Sequence, residues 1–360
     1  MRKLNIYHRK DGRYEGRISK GKQKNGKRSF LYFFGKTKAD VERKMALASE
    51  AVNCNEKCGL TIAEVFEKWY QTIRNRIKES TAANYQMKAK KHIFPNFGEI
   101  QITSLTATEV NEFVDAKLAE GLSARYIADI IILMKSIYKF AANTYHISNP
   151  MSEVSVPRKR SSEIMLLDAD EQKRLQRYLD VNPDRTTMGI ALSLHMGIRI
   201  GELCALQWSD IDLKKRILTV RKTIQRIQCQ EQGKRTKLIV TEPKSESSKR
   251  CIPIPEFLLD ILKKFSGNTE EFVLSGKTNP IEPRTMQYRF AKILKNVKLP
   301  SIHFHALRHM FASNCVKLGF DIKTLSEILG HSSVDITLNR YVHSSFEQKV
   351  EYMKLLKPAV

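Results

Sequence analysis

The chain is short of acid. Its 360 residues hold 38 Asp and Glu against 62 Lys and Arg, a formal net charge of +24, with an isoelectric point near 9.7. So large a basic surplus points to a polyanionic partner, nucleic acid first. Long hydrophobic runs are missing as well. None approaches the roughly 18 residues needed to span a bilayer, so no membrane partner is expected. The basic N-terminus has no apolar stretch after it, so no secretory signal is expected either. Cysteine is sparse and scattered, at 54, 58, 204, 229, 251 and 315. Cys54 and Cys58 form an isolated C-x3-C with no second pair at zinc-ligand spacing, and Cys204 and Cys315 sit among apolar helical residues. The expectation is a reduced, cytoplasmic protein. There is no HExxH, and His305 and His309, at i,i+4, have no acidic third ligand at a suitable spacing; no metal is expected.

What is present suffices for two or three folded domains, with an ordinary 42% of hydrophobic residues. The first 38 residues contain 13 Lys or Arg, against Asp11 and Glu15 alone. Within them, GRYEGRIS and KRSFLYFFG read as short strands, and KGKQKNGK between them has the Gly and Asn of a hairpin turn. A helix is predicted over 37–50, with Thr37 as N-cap. Tyr14, Ile18, Phe30, Tyr32 and Phe34 are expected to form a packed face. This basic, aromatic module reads as DNA-binding, with Arg13, Arg17, Lys27 and Arg28 as contacts.

Residues 51–60 read as a linker, and 61–149 as almost wholly helical. Helices are predicted over 61–77, over 80–93 with Ser80 as cap, and in ATEVNEFVDAKLAEG and SARYIADIIILMKSIYKFAANTY, Gly121 ending the former. Lys78, Lys88, Lys90, Lys91, Arg125, Lys135 and Lys139 give this bundle a joint basic excess suited to a DNA-facing surface. NPMSEVSVPRKRSSE then marks an exposed linker carrying Arg158, Lys159 and Arg160. Asp168 followed by Glu171 opens a C-terminal domain in capping-box style. Helices dominate it, broken by strand-like segments at 216–224, 236–242 and 249–254.

The residues suited to chemistry gather in that last domain. HALRH at 305–309 and LGHSSVDITLNRYVH at 329–343 bring His305, Arg308, His331 and Tyr341 within 37 residues. A tyrosine attacks a phosphodiester only when cations neutralise the phosphate, so the group reads as a phosphoryl-transfer site with a tyrosine nucleophile. In FHALRHMFASNCVKLG, Leu307, Met310, Phe311, Asn314 and Leu318 have core spacing, while His305 and Arg308 share another stripe. His309 reads as a satisfied, partly buried histidine. Gly330 stops the next helix so that His331 emerges at its end. Ser332 and Asp335 open the helix that carries Tyr341. MGIRIGELCALQW puts Arg199 and Glu202 on one helical face, opposite Ile200, Leu203 and Leu206. A guanidinium held by a carboxylate is preorganised to grip phosphate, although taken alone the pair reads as a surface ion pair. In TEPKSESSKRCIPI, Lys244 near a turn is placed to protonate a departing alkoxide, with Lys249 as a competitor.

Together these residues resemble the tyrosine recombinases, more narrowly the integrases of temperate phages and of integrative conjugative elements from low-GC Gram-positive bacteria. Arg199 in GIRIGEL matches the family's first catalytic arginine and Glu202 its supporting acid. Lys244 in EPKSESSKR matches the hairpin lysine. HALR supplies His305 and Arg308, LGHSS supplies His331, and LNRY ends in the nucleophile, Tyr341. The resemblance covers essentially the whole chain. It implies an arm-type DNA-binding domain at 1–55, a small β-sheet plus helix; an all-α, SAM-like core-binding domain at 60–156; a linker at 157–164; and a mainly α catalytic domain with a small antiparallel sheet and a C-terminal tail at 165–360.

The resemblance also implies the chemistry. Tyr341 would cleave duplex DNA through a 3′-phosphotyrosyl intermediate and rejoin it by way of a Holliday junction, with no cofactor and no ATP. Arg199, Arg308, His305 and His331 would stabilise the transition state, His305 would also help take the tyrosine proton, and Lys244 would protonate the leaving oxygen. Implied partners are attachment-site DNA of core and arm type, three further copies in a tetramer, an excisionase and a host DNA-bending protein. The implied location is the bacterial nucleoid. The tail segment SSFEQKVEYMKLL carries Phe346, Val350, Met353 and Leu356 at helical spacing and is expected to pack on a neighbouring subunit, with docking on its own domain as the alternative. The rival readings are a Xer-like resolvase of replicon dimers, a type IB topoisomerase and a non-catalytic DNA-binding regulator. The basic N-terminal module speaks against the first, and the filled set of six positions against the last.

Overall fold

The computed structural model describes residues 6–9, 11–22, 28–55, 58–157, 165–229, 235–243, 246–341 and 353–354. Lys27, Arg158, Lys159, Arg160, Lys244 and the tail segment apart from Met353 and Lys354 lie outside them. Contacts divide the chain into two compact units, 1–161 and 162–360. No helix among the described residues is long and apolar enough to cross a membrane.

In the first unit, β1 (Ile6–His8), β2 (Tyr14–Lys22) and β3 (Arg28–Gly35) form an antiparallel sheet in that order, followed by α1 (Lys38–Asn55). Strand β1 was not predicted; three residues carry no periodic signal. Thr37 accepts the Asp40 backbone N–H at 3.2 Å, as an N-cap should. Side chains alternate across a strand, and that divides the aromatic residues expected to share one packed face. Gly16, paired with Phe33, lies against Val41 and Met45 of α1. Ile18 and Tyr14 have the same parity as Gly16 and belong to that side. Phe30, Tyr32 and Phe34 are exposed on the other, with Tyr7.

The rest of this unit is helical: α2 (Ile62–Ile73), α3 (Glu79–Lys88), α4 (Phe94–Phe97), α5 (Ala107–Ala119) and α6 (Ala124–Tyr145). Thr61 with Glu64, and Thr106 with Glu109, close capping boxes that satisfy the first free N–H groups of α2 and α5. The helix predicted over 80–93 begins instead at Glu79, behind Lys78, and widens into a π-helical turn over 89–93. The core joins Ile62, Phe66 and Trp69 to Ile127, Ile130 and Met134 of α6. Lys88 leaves the expected basic surface: it is buried, with its ammonium 3.2 Å from Asp129 and over the Tyr126 ring.

The second unit contains α7 (Ala169–Val181), α8 (Arg185–Met196), α9 (Ile200–Ala205), β4 (Ile211–Asp212), β5 (Ile217–Val220), β6 (Thr223–Gln228), β7 (Thr236–Thr241), β8 (Arg250–Pro253), α10 (Leu259–Lys264), α11 (Pro283–Asn296), α12 (His305–Lys317), α13 (Ile322–Leu329) and α14 (Val334–Tyr341). Asp168 and Glu171 close the predicted capping box on α7. The segment expected to be one strand at 216–224 is two. Strand β5 lies between β4 and β8 in one sheet, and β6 pairs with β7 in a separate hairpin. Helix α8 is buried except for Arg185 and His195, as a helix apolar nearly all round must be. It packs against α7, α9, α11 and α12, which fixes the ends of α8, α9 and α12 relative to one another.

Candidate active site

Helix α8 stops at Gly197, whose backbone takes the left-handed conformation (φ 65°) at little cost for glycine. The chain reverses and Arg199 becomes the N-cap of α9, with Glu202 at its third position. The pair was expected to share a helical stripe; a capping box joins it instead. The Arg199 backbone N–H donates to Glu202 Oε2 at 3.1 Å, and its guanidinium to Oε1 at 2.8 Å. Glu202 is 5% exposed and accepts from a second, unpredicted guanidinium. Arg250, first residue of β8, donates to its two oxygens at 2.8 and 3.2 Å. Burial alone would raise the Glu202 carboxyl, but the hydrogen bonds and charges of Arg250 and Arg199 outweigh it and hold it below the ordinary carboxylate range.

Three arginines converge on the last turn of α13. Arg250 donates to the Ile328 carbonyl at 2.6 Å, Arg308 to Leu329 at 2.6 Å and Arg199 to Gly330 at 3.0 Å. Carbonyls at a helix C-terminus have no intrahelical partner and carry partial negative charge, so cations gather there. Arg308 also holds the Gly197 carbonyl at the end of α8, at 2.7 Å. It is 2% exposed. Burial, with Arg199 and Arg250 repelling, brings its guanidinium down to about 9, which leaves it cationic at neutral pH. Among the described residues the cluster sets one carboxylate, Glu202, against three guanidiniums, so it is short of negative charge.

Gly330, also left-handed (φ 64°), ends α13 and releases His331. The His331 Nδ1 lies 2.8 Å from the hydroxyl of buried Thr337, which fixes the imidazole against α14. That helix is capped by Ser333, whose Oγ accepts the Asp335 N–H at 3.1 Å, and not by the expected Ser332. Tyr341 ends it. The Tyr341 ring is parallel to that of His331, with centroids 6.4 Å apart, and its Oη lies 2.7 Å from His309 Nδ1. A pocket of about 240 Å³ opens between these elements, lined among others by Arg199, Ser248, His305, Arg308, His331 and Tyr341. Five of the six residues singled out in sequence for catalysis thus meet at one cavity. The sixth, Lys244, lies outside the described residues; its competitor Lys249 pairs with Glu242 at 3.0 Å.

Two members of the cluster were not anticipated. Arg250 has a usable signal: in β8 it shares parity with buried Ile252, so alternation turns it inward. In sequence His309 reads only as a satisfied, partly buried histidine. It is 3% exposed, and its Nδ1 meets the tyrosine 32 positions later.

Among the candidate DNA contacts, Arg17 sits on the open face of the N-terminal sheet. Arg17 lies over the rings of Tyr7 and Tyr32, at 5.2 and 5.3 Å, and Arg9 over Phe34 at 5.5 Å. Glu15 ties the two arginines together at 2.8 and 2.6 Å, its carboxyl held low chiefly by the Arg17 hydrogen bond. Arg13 pairs with Asp11 at 2.8 Å, and Arg28 opens β3 opposite Lys22.

Comparison with known proteins places this geometry in context. The model of the phage integrase family matches residues 165–348, and that of the phage integrase N-terminal SAM-like domain matches 61–118. A XerC-like tyrosine recombinase of Caldanaerobacter subterraneus subsp. tengcongensis is 26% identical over 95% of both chains. A tyrosine recombinase of Thermosipho africanus is 27% identical over 82% of this chain and 99% of its own. Among solved structures, the Tn1549 transposon integrase bound to a circular intermediate DNA superposes with a TM-score of 0.67 at 22% identity, covering 82% of this chain and 99% of that one. A lambda integrase tetramer bound to a Holliday junction gives 0.60 at 20%, covering 95% and 98%.

Proposed function

The chain belongs to the phage integrase family, and on that premise we propose that it is a site-specific DNA recombinase with Tyr341 as nucleophile. The observation that carries this is the meeting of the Tyr341 ring with two guanidiniums and two imidazoles at one pocket, over a cluster short of negative charge. A phosphodiester supplies the missing charge. Tyr341 Oη attacks the scissile phosphate, forming a 3′-phosphotyrosyl bond and releasing a 5′ oxygen. Arg199, Arg308, His305 and His331 bind the pentacoordinate transition state, where loss of one such donor costs about 10²- to 10³-fold in rate. Glu202 holds Arg199 in place. Lys244 is the acid for the leaving 5′ oxygen. The covalent bond conserves the phosphodiester, so rejoining needs no ATP.

Residues 1–55 are the proposed arm-type DNA-binding domain, 60–156 the core-binding domain, 157–164 the linker and 165–360 the catalytic domain. Arg13, Arg17, Lys27, Arg28, Arg158, Lys159 and Arg160 are proposed to neutralise backbone phosphates. The active form is a tetramer on two duplexes in the bacterial nucleoid, and the proposed accessory partners are an excisionase and a DNA-bending protein. A mobile-element integrase is the first reading. A Xer-like resolvase is the second, and one observation favours it: the XerC-like relative matches over 95% of both lengths, so an N-terminal extension does not by itself separate the two.

Incubation with a nicked suicide duplex carrying the attachment site tests the reading. The wild type should form a covalent protein–DNA adduct and Tyr341→Phe none. A wild type that forms no adduct refutes the enzyme.

A further inference from the structure

We propose that His309 is a catalytic residue: it accepts the phenolic proton of Tyr341 during cleavage and returns it during rejoining. This rests on the recombinase reading above. Helix α12 carries Arg308 and His309 at successive positions, about 100° apart around its axis. Arg308 therefore turns to the end of α13, where phosphate is to bind, and His309 to α14 and the nucleophile. One helix sets the phosphate ligand in register with the attacking oxygen. The His309 imidazole is buried, its Nδ1 2.7 Å from Tyr341 Oη and its ring tilted 46° to the tyrosine. His305, one turn earlier, lines the pocket and meets His309 edge-on at 4.7 Å. His331 stacks on the tyrosine while its Nδ1 goes to Thr337. His305 and His331 line the phosphate pocket, and His309 Nδ1 lies within hydrogen-bond distance of the phenol.

The step balances without an added reagent. The tautomer with its proton on Nε2 leaves Nδ1 as acceptor for the phenol O–H. As the Oη–P bond forms and the P–O5′ bond breaks, the phenolic proton passes to Nδ1, and the 5′ oxygen leaves with a proton from Lys244. In rejoining, the 5′ hydroxyl attacks and gives its proton to Lys244. The P–Oη bond breaks, and the imidazolium returns its proton to the departing phenolate. The enzyme ends in its starting protonation state. A positioned base of this kind contributes about 10²- to 10⁴-fold.

The test compares full-length wild type, His309→Asn and His309→Gln on the nicked suicide duplex in single turnover, with DNA binding measured alongside as the check on folding. Asn and Gln retain hydrogen-bonding groups but cannot take up a proton. Adduct formation should fall at least about 10²-fold with DNA affinity retained. A second readout separates proton transfer from packing. In a Tyr341→Phe background, a 5′-hydroxyl strand is ligated to a strand ending in a 3′-p-nitrophenyl phosphate, whose leaving group departs without a proton. His309→Asn should slow that ligation less than about tenfold. Equal losses in both reactions, or cleavage within a few-fold of wild type, overturn the proposal while the recombinase reading stands. A wild type without any adduct overturns both.

Discussion

Removal of the Arg250 side chain tests whether the arginine cluster is held together as described. Arg250→Ala deletes two donations to Glu202 and one each to the Ile328 and Ser248 carbonyls. Both ion-pair partners are buried, at 9% and 5% exposure. Removing one member of a buried pair costs about 3–5 kcal/mol, because the other charge is left uncompensated. Here Arg199, though its side chain is 32% exposed, still reaches the carboxylate and compensates part of its charge, so the low end, about 3 kcal/mol, is expected. For a unit of this size, 1 kcal/mol moves the unfolding midpoint by about 2–4 °C, which gives a drop of about 6–12 °C. The assay is thermal unfolding of the full chain, following the transition of the C-terminal unit. A second variant isolates the cause. Arg250→Met combined with Glu202→Gln removes both charges and should recover at least about 1 kcal/mol relative to the sum of the single losses. A midpoint for Arg250→Ala within 1 °C of wild type, or a double variant that loses the full sum, refutes the account.

Two further outcomes follow from the same cluster. The Glu202 carboxyl lies below its ordinary 4.5 in the folded chain, so its contribution to stability is fully present above about pH 4.5 and is lost as pH falls through the lower folded value; the urea midpoint of Glu202→Gln should therefore fall less steeply than that of wild type below pH 4.5, and parallel curves would contradict this. Gly330→Ala forces an L side chain into the left-handed region, at about 1–2 kcal/mol, and sets its Cβ within 3.1 Å of the Arg250 side chain and the Ser247 carbonyl; both the unfolding midpoint and the rate of adduct formation should drop, and an unchanged cleavage rate would show that the turn does not position His331 and Arg199.

The parts of this chain legible in its sequence are those decided by neighbours. The capping residues Thr37 and Asp168 act over three positions, and both are readable. The pairing of Arg199 with Glu202 was readable for the same reason, but its cause was misjudged, because a left-handed Gly197 splits what looked like one helix. Strand alternation alone divides the N-terminal aromatics as the sheet does, with Tyr14 on the helix side and Phe30, Tyr32 and Phe34 on the open side. Arg250 and His309 were missed because their roles are settled by partners 48 and 32 positions away. Nothing local distinguishes a histidine that holds a tyrosine from one that fills a core.

The three arginines that meet at the end of α13 all donate to main-chain carbonyls. Any residue at 328 or 329 offers the same oxygen, so as far as these contacts go the side chains there are free to drift in evolution. Chain length is not. A single insertion between 322 and 341 would move the carbonyls, His331 or Tyr341 out of step with guanidiniums rooted in three other elements. Relatives should therefore vary in letters at 328 and 329 while keeping the count from 322 to 341, and for engineers those two positions are open to substitution by residues that suit the core, while the segment as a whole is closed to grafted loops.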